Sequence, residues 1–232
     1  MFCSFLDGTK HSIEMTALSN ATGLVADVRG LHFPAVDLRD IPNKLCHVSK
    51  GGVLETEGVV EAVSSMGADD KSVERSIRGG LYAVIEGADT NAVQSLASYG
   101  EIIGMITSRD AQRAMIYRPQ HFIGHEMPIS VVRIMLDGQP TGTPIGRFSE
   151  VVAAAKKPLE PGTILDGEGG FTIYGMAEKA DVARRENLLP IGLSQGAEVI
   201  TPIPEDGMIT YDNVKVLESF ARQLRRRQDA MT

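Results

Sequence analysis

Apolar residues at every fourth position predict the first long helix of the chain. Ile13, Ala17 and Ala21 form one such stripe. The predicted helix runs from Lys10 to about Thr22, and Gly23 follows it as a residue type that commonly ends helices. One face of this helix is therefore apolar.

Runs of apolar and β-branched residues predict strands farther along the chain. A capped helix follows the first of them. Asp89 and Thr90 supply its N-terminal cap, and the helix continues to Tyr99 and stops at Gly100. The predicted strands are Leu81–Glu86, Ala114–Tyr117, Ile129–Leu136 and Val151–Ala155.

The pattern changes after Gly146, where turn residues begin to recur at short intervals. Such spacing predicts a small β-rich module with many turns. The chain is predicted to end in a helix from about Leu217 to Met231, whose basic residues suit the negative end of the helix dipole. The basic residues are Arg222, Arg225, Arg226 and Arg227. We interpret the arginine cluster at 225–227 as a solvated helix end rather than a binding patch.

Charge and composition narrow the class of protein. The 232 residues carry a formal net charge of −7 with a pI near 5.3, which argues against nucleic-acid binding because phosphate neutralisation needs clustered Lys and Arg. No run of about 18 apolar residues is present, so we expect no membrane partner. We expect no secretion signal, because Met1 to Lys10 contain no basic stretch followed by an apolar core. Cys3 and Cys46 are too few for a disulfide framework, which favours a cytoplasmic location. Both are interpreted as structural because no basic residues are arranged around them to make a reactive thiol.

Common cofactor and catalytic motifs are missing from the sequence. It contains no strand followed by G-x-G-x-x-G, no phosphate-binding G-x-x-x-x-G-K, and no H-E-x-x-H, C-x-x-C or G-x-S-x-G. A dinucleotide site of the usual βαβ kind is therefore not encoded in these residues.

The turn Asp7-Gly8-Thr9-Lys10 precedes the first helix, and Asp7 or Thr9 can accept hydrogen bonds from its free backbone N–H groups. If the turn runs straight into the helix, Asp7, Lys10 and Glu14 point along one face. A lysine held between two carboxylates can deliver a proton to a carbonyl oxygen while hydride reaches the carbon. The alternative is a capped helix with a solvated row of ion pairs.

A second candidate group, Tyr117, Arg118 and His121, follows a predicted strand. The ends of strands are where the active sites of α/β proteins gather. Arg118 can grip a phosphate or carboxylate with two hydrogen bonds, and His121 can act as an acid or a base near neutral pH. The alternative is a strand-end loop with a buried tyrosine and a surface arginine.

Two further sets of residues suggest metal binding only weakly. His121, His125 and Glu126 have a spacing that a metal site on a helix can use. Gly124 and the flanking prolines argue against a regular helix there, so we favour a loop without zinc. The acidic glycine loop at residues 166–170 is interpreted as a surface turn, with an active-site lid or a divalent-ion loop as the alternative.

The second half of the chain resembles an SAF domain, the small β-clip module of sialate-synthase C-termini and flagellar P-ring chaperones. The resemblance covers residues 151–215. It is carried by Ala154-Ala155-Lys156-Lys157-Pro158-Leu159-Glu160-Pro161-Gly162-Thr163-Ile164-Leu165 and by Leu189-Pro190-Ile191-Gly192-Leu193.

The front half resembles the part that follows the Rossmann domain in homoserine-dehydrogenase-like oxidoreductases ending in an SAF domain. That family includes 1-deoxy-D-xylulose 5-phosphate reductoisomerase-like enzymes. The matching residues are Phe5-Leu6-Asp7-Gly8-Thr9-Lys10, Glu14-Met15, Asn20-Ala21-Thr22-Gly23-Leu24, Gly51-Gly52-Val53-Leu54-Glu55, Tyr117-Arg118-Pro119 and Pro140-Thr141-Gly142.

The resemblance implies an α/β (α+β) fold, in which a mixed-sheet substrate and dimerisation domain precedes a small β-clip domain. The expected bounds are 1–148 for the substrate domain, 149–216 for the SAF-like domain and 217–232 for the C-terminal helix. The resemblance also assigns roles to residues. Lys10 becomes a proton donor or phosphate contact, Asp7 and Glu14 orient it or bind a metal, His121 is catalytic, and Thr9, Tyr117 and Arg118 contact the substrate.

The implied activity is NAD(P)H-dependent conversion of a small polar carbonyl compound or a phosphorylated sugar. Reduction and rearrangement of deoxyxylulose phosphate with Mg²⁺ or Mn²⁺ is its most specific form. NADPH or NADH is expected to come from a Rossmann domain in cis or in trans, and the chain is expected to form a homo-oligomer. Because the resemblance covers only the back part of the family protein, we expect a fragment, a split-gene subunit or a late start. The alternative function is a non-catalytic SAF-type module that binds a sugar or sugar phosphate, or an inactive fragment.

Overall fold

A computed structural model describes residues 3–100 and 102–231 and shows a mixed α/β fold, as the sequence predicted. Short 3₁₀ helices occupy Leu38–Asp40, Val48–Lys50 and Ile191–Leu193. The α-helices are α1 (Cys3–Leu6), α2 (Thr9–Thr22), α3 (Ile41–Lys44), α4 (Thr90–Tyr99), α5 (Ile123–Asp137), α6 (Ala180–Arg185) and α7 (Phe220–Asp229). The strands are β1 (Val25–Ala26), β2 (Val59–Val60), β3 (Leu81–Glu86), β4 (Ile106–Thr107), β5 (Arg113–Arg118), β6 (Ser149–Ala155), β7 (Ile173–Lys179), β8 (Glu198–Val199) and β9 (Val214–Lys215).

These elements fall into two compact units. Unit 1 contains the described residues up to Leu31 and those from Pro144 onward, and unit 2 contains His32–Thr143. The domain bounds expected from the sequence, at 148 and 216, stay predictions. Each unit has its own apolar core.

In unit 1, α2 packs against β6 and β7 through small polar side chains. Thr9, Ser12 and Ser19 are buried on this face, and the hydroxyls of Ser19 and Ser149 lie 2.6 Å apart. The predicted helix is confirmed, but Ala17 of the apolar stripe is exposed. Short side chains let the helix backbone lie close to the strands, where the hydroxyls of Thr9 and Ser19 find hydrogen-bond partners.

The β module of unit 1 is built around the antiparallel ladder of β6 and β7, which runs from Ser149 opposite Lys179 to Ala155 opposite Ile173. β8 pairs with β9, and isolated bridges join several loops. This arrangement matches the turn-rich β structure predicted after Gly146. Its core consists of aliphatic side chains from strands and loops, among them Leu159, Leu165, Ile173, Leu189, Val199, Ile203 and Ile209.

The sheet of unit 2 has the order β3-β5-β4 and is antiparallel throughout. The predicted strand Leu81–Glu86 is confirmed, and it pairs with β5 from Leu81 opposite Arg118 to Glu86 opposite Arg113. The predicted cap of α4 is also confirmed, because Asp89 accepts a hydrogen bond from the Ala92 N–H at 2.8 Å. One sheet face packs on a core that comprises Val36, Ile41, Leu45, Leu54 and Met115.

The strand predicted at Ile129–Leu136 is wrong, because these residues belong to α5. A continuous apolar run does not by itself distinguish a strand from a helix. Gly124 and Pro128, expected to prevent a helix, both lie inside α5. Gly138 ends the helix in the left-handed region, with φ 64°, where a residue without a Cβ is unstrained.

The interpretation of the C-terminal arginines as a solvated helix end is wrong for Arg225 on α7. Its guanidinium donates two hydrogen bonds to the carboxylate of buried Glu150 on β6, at 2.6 and 2.7 Å. Arg147 donates to the same carboxylate at 2.9 Å, and both arginines contact Asp229. This closed network of alternating charges attaches α7 to β6.

Candidate functional site

The predicted site residue Asp7 forms its ion pair with Lys156 rather than with Lys10. The Lys156 Nζ lies 2.6 Å from Asp7 Oδ2, and it also donates to the Gly170 carbonyl at 2.6 Å. Both side chains are mostly buried, with 19% of Lys156 and 16% of Asp7 exposed. The other carboxylate oxygen of Asp7 accepts the Thr9 N–H at 2.9 Å, so Asp7 accepts a free backbone N–H at the start of α2 as predicted, although Gly8 occupies the N-cap position.

Lys10 lies on the outer side of α2. Its Nζ is 3.8 Å from Glu14 and 4.5 Å from the centre of the Phe5 ring. Of the two carboxylates expected beside Lys10, therefore, Glu14 is paired with it, whereas Asp7 is paired with Lys156. Thr9 is fully buried, and its hydroxyl accepts the Gly175 N–H at 2.7 Å, which uses that oxygen in packing α2 onto β7.

A tyrosine extends the polar cluster around Asp7. The Tyr174 hydroxyl donates to Asp206 at 2.9 Å. Burial, the bond to Asp206 and the negative charge of Asp7 raise the pKa of Tyr174 to about 12. We call Asp7, Lys156, Tyr174 and Asp206 the Asp7 cluster; it combines a lysine and a tyrosine, two proton donors, with two carboxylates.

In unit 2, the predicted strand-end group is brought together at the end of β5, but its members have partners of their own. Tyr117 packs on the apolar core of the unit. The exposed Arg118 pairs closely with Glu126 in the first turn of α5. His121 Nδ1 lies 2.9 Å from the Gly79 carbonyl and donates to it.

Sequence reasoning missed a polar groove of about 560 Å³ in unit 2. Arg75 pairs with Asp37 at 2.8 Å, and Arg109 pairs with Asp40 at 2.6 Å. The Arg39 N–H and the Arg75 guanidinium lower the pKa of Asp37 through their hydrogen bonds. No motif marks this groove, because its residues come from three separate stretches of chain. It is lined by Asp37, Arg39, Asp40, Asn43, Arg75, Thr107, Ser108 and Arg109.

A second feature missed in the sequence is the pair of Glu61 and His32. Only 3% of the Glu61 side chain is exposed, and His32 Nδ1 lies 2.7 Å from its carboxylate. The backbone N–H groups of His32 and Ala62 donate to the same carboxylate, at 3.1 and 2.8 Å. Tyr82 on β3 donates its hydroxyl to the Glu61 carbonyl at 2.7 Å, and burial raises the pKa of this tyrosine.

The described side chains do not fit a metal ion. Within residues 3–100 and 102–231, no group of three or more His, Cys, Asp or Glu side chains is arranged to hold one. Asp166 of the acidic loop accepts the Phe171 and Thr172 N–H groups, at 2.6 and 3.1 Å, which is a turn-closing role. We therefore assign no chemical step to a metal.

Comparison with known proteins identifies the front half of the chain. Residues 1–127 match the family model described as "Oxidoreductase DRL, catalytic domain". No curated protein matches the chain significantly. In the part of the chain that the structure describes, no helix has the length and apolar character needed to cross a membrane.

Proposed function

The chain belongs to the family of oxidoreductase DRL catalytic domains, and we propose that it is the substrate half of an NAD(P)H-dependent oxidoreductase. The substrate is a small polar carbonyl compound or a sugar phosphate, with a deoxyxylulose phosphate reductoisomerase-like reaction as the most specific form. The observation that carries the proposal is the extent of the family match. Residues 1–127 include every residue to which the resemblance assigns a role, from Asp7 to His121.

The polar groove of unit 2 supports an anionic substrate. Arg39, Arg75 and Arg109 line it together with Thr107 and Ser108. Guanidinium groups bind phosphate and carboxylate through paired hydrogen bonds, and they exchange an exposed carboxylate partner at little cost. A phosphate entering the groove would replace such a partner.

Other parts of the proposal rest on the resemblance to homoserine-dehydrogenase-like enzymes. NADPH or NADH comes from a Rossmann domain in cis or in trans, residues 149–216 form an SAF-like domain, and the protein is a cytoplasmic homo-oligomer. Lys10 acts as a proton donor or phosphate contact with Glu14 beside it, and Arg118 grips the substrate after leaving Glu126. These roles are consistent with the exposure of Lys10 and Arg118.

The test is NADPH or NADH oxidation followed by absorbance, with deoxyxylulose phosphate and a panel of carbonyl compounds, with and without Mg²⁺ or Mn²⁺. The chain is assayed alone and with a purified Rossmann domain of the same family. We expect activity in the mixture, and we expect Arg75→Gln or Arg109→Gln to raise KM for phosphorylated substrates more than for uncharged ones. Arg133→Gln, on α5 and outside the groove, is the matched control.

Failure of every substrate in the mixture would refute the oxidoreductase proposal. Thermal stabilisation of the inactive chain by sugar phosphates would then identify the alternative, a non-catalytic binding protein. Equal effects of Arg75→Gln on charged and uncharged substrates would instead remove the groove from the proposal and leave the reaction class intact.

A further inference from the structure

The helix α5 of unit 2 exposes apolar side chains along most of its length. Seven of them are 50–80% exposed, and together we call them the α5 apolar face. A helix at the surface of a protein normally turns its apolar side toward the core and its polar side toward water. The members of the face are Met127, Ile129, Val131, Val132, Ile134, Met135 and Leu136.

The polar side of α5 is the side that its own chain holds. At about 100° per residue, Glu126, Ser130 and Arg133 fall in one narrow stripe of the helix. Glu126 pairs with Arg118 at the end of β5, and the Ser130 hydroxyl lies 2.6 Å from the hydroxyl of Thr141. Glu126 and Ser130 are only partly exposed. The usual amphipathic arrangement is therefore inverted, because the polar stripe contacts the chain and the apolar face meets solvent.

The size of the α5 apolar face is that of a stable protein interface. If each member exposes on the order of 100 Å², the face presents roughly 700 Å². The largest apolar patch of a typical monomer measures about 300–600 Å². A stable interface takes about 800 Å² from each partner, so this one helix supplies most of the area that a dimer needs.

The charges of α5 favour a second copy of the same chain as the occupant. In a symmetric dimer, a side chain near the two-fold axis meets its own copy, so a charged centre would repel itself. Among the described side chains of α5, those on the apolar side include no Asp, Glu, Lys or Arg, and His125 lies at the edge beside Phe122. Arg133 and Asp137, which lie on the polar stripe, pair with each other at 3.8 Å. Two copies can thus meet without like charges between them, although each chain carries a net charge of −7.

The order of residues along the face also suits pairing with itself. Met127, Val131 and Met135 follow one another at intervals of four, so this stripe is the same from either end. Two copies of α5 packed antiparallel about an axis at Val131 would bring Met127 of each copy beside Met135 of the other. Opposed helix dipoles favour this orientation, and methionine is enriched in the cores of interfaces.

From these observations we infer that the α5 apolar face is the interface of a homodimer, in which the two copies of α5 lie antiparallel about Val131. The inference names the surface of the homo-oligomer in the proposed function, and in that respect it rests on the proposed function. The second copy buries the apolar side that α5 leaves exposed, and each α5 then has one polar and one buried apolar side.

The test is the mass of the chain in solution, measured by size-exclusion chromatography with light scattering at micromolar concentrations. We expect twice the 25.0 kDa of one chain for the wild type. Val131→Lys places two like charges at the axis and should raise the dimer dissociation constant by more than about 100-fold. Phe171→Lys is the matched control, because Phe171 is a 74% exposed apolar residue of unit 1, and it should stay dimeric.

Opposite charges give a readout that a misfolded variant cannot give. Val131→Lys and Val131→Glu should each be monomeric alone and should form a mixed dimer when combined, because a lysine then meets a glutamate at the axis. A monomeric wild type, a dimer that Val131→Lys leaves intact, or the absence of the mixed dimer would overturn the inference.

A Rossmann domain is the competing occupant of the face. A monomeric wild type that binds a purified Rossmann domain, and loses this binding in Val131→Lys, would assign the face to that domain and overturn the homodimer. These measurements need no substrate. A dimer that reduces no carbonyl compound would therefore refute the proposed reaction while leaving the interface supported.

Discussion

The network that attaches α7 to β6 provides the sharpest test of the folding argument. Glu150 accepts three hydrogen bonds from guanidinium groups, two from Arg225 and one from Arg147. Only 8% of the Glu150 side chain and 15% of the Arg225 side chain are exposed. Burial of Arg225 lowers its pKa, but the hydrogen bonds and negative charges of Glu150 and Asp229 outweigh this effect and raise the pKa. The arginine is therefore held charged.

Replacing Arg225 with Met removes two of the three donors to Glu150. Breaking a fully buried ion pair costs about 3–5 kcal/mol, and because Arg147 remains in place we expect a loss of about 2–3 kcal/mol. For a chain of this size that corresponds to a melting temperature lower by about 5–10 °C. Arg226→Met is the control, because Arg226 pairs with Glu218 at the surface. This replacement should lower the free energy of unfolding by less than about 1 kcal/mol.

The assay is thermal and urea unfolding of the wild type, both single variants, Glu150→Gln and the double variant Arg225→Met/Glu150→Gln. The coupling energy of this cycle reports the pair itself. If Arg225→Met were no more destabilising than Arg226→Met, the argument that buried bidentate pairing holds α7 in place would be wrong.

Other consequences follow from unit 1. Lys156→Met should lower the free energy of unfolding by about 1–3 kcal/mol, because it leaves the mostly buried carboxylate of Asp7 without its cation. Lys10→Met, the control, should lower it by less than about 0.5 kcal/mol. Equal losses for the two variants in urea unfolding would contradict the pairing of Asp7 with Lys156. Gly175→Ala should lower the free energy of unfolding by about 1–3 kcal/mol, since the added Cβ would lie 2.7 Å from a methyl group of β6. An unchanged melting temperature would show that the two strands can separate there. Asp166 has a pKa below its ordinary 3.8 because hydrogen bonds, including one from the Thr172 hydroxyl, outweigh the opposing effect of burial. Its contribution to stability is therefore present above pH 3.8 and lost as the pH falls through the lower folded value. The stability difference between the wild type and Asp166→Asn should therefore narrow in acid. A difference that stays constant over the whole acidic range in which the protein remains folded would refute this.

The candidate sites show where local sequence reasoning succeeds. The hydrogen bond that Asp7 accepts from the Thr9 N–H was predictable because the two residues lie only two positions apart. The partner of Asp7 was not, since Lys156 lies 149 positions along the chain and only the packing of unit 1 brings the two together. The pair of His32 and Glu61 was missed for the same reason, because their spacing of 29 residues corresponds to no local period.

The sequence by itself determined the features that arise from neighbouring residues. The helix capped by Asp89, the strand Leu81–Glu86 and the turn-rich β structure after Gly146 follow from local propensity, capping and turn chemistry. Only the tertiary structure decided which face of α2 is buried. The buried face carries Thr9, Ser12 and Ser19, and it is not the apolar stripe that the sequence predicted. The physical reason is that the buried face of a helix depends on how closely the helix can approach its neighbours. Small hydroxyl side chains allow α2 to lie close to β6 and β7 and to form hydrogen bonds with them, and the spacing of aliphatic residues along the sequence does not show this.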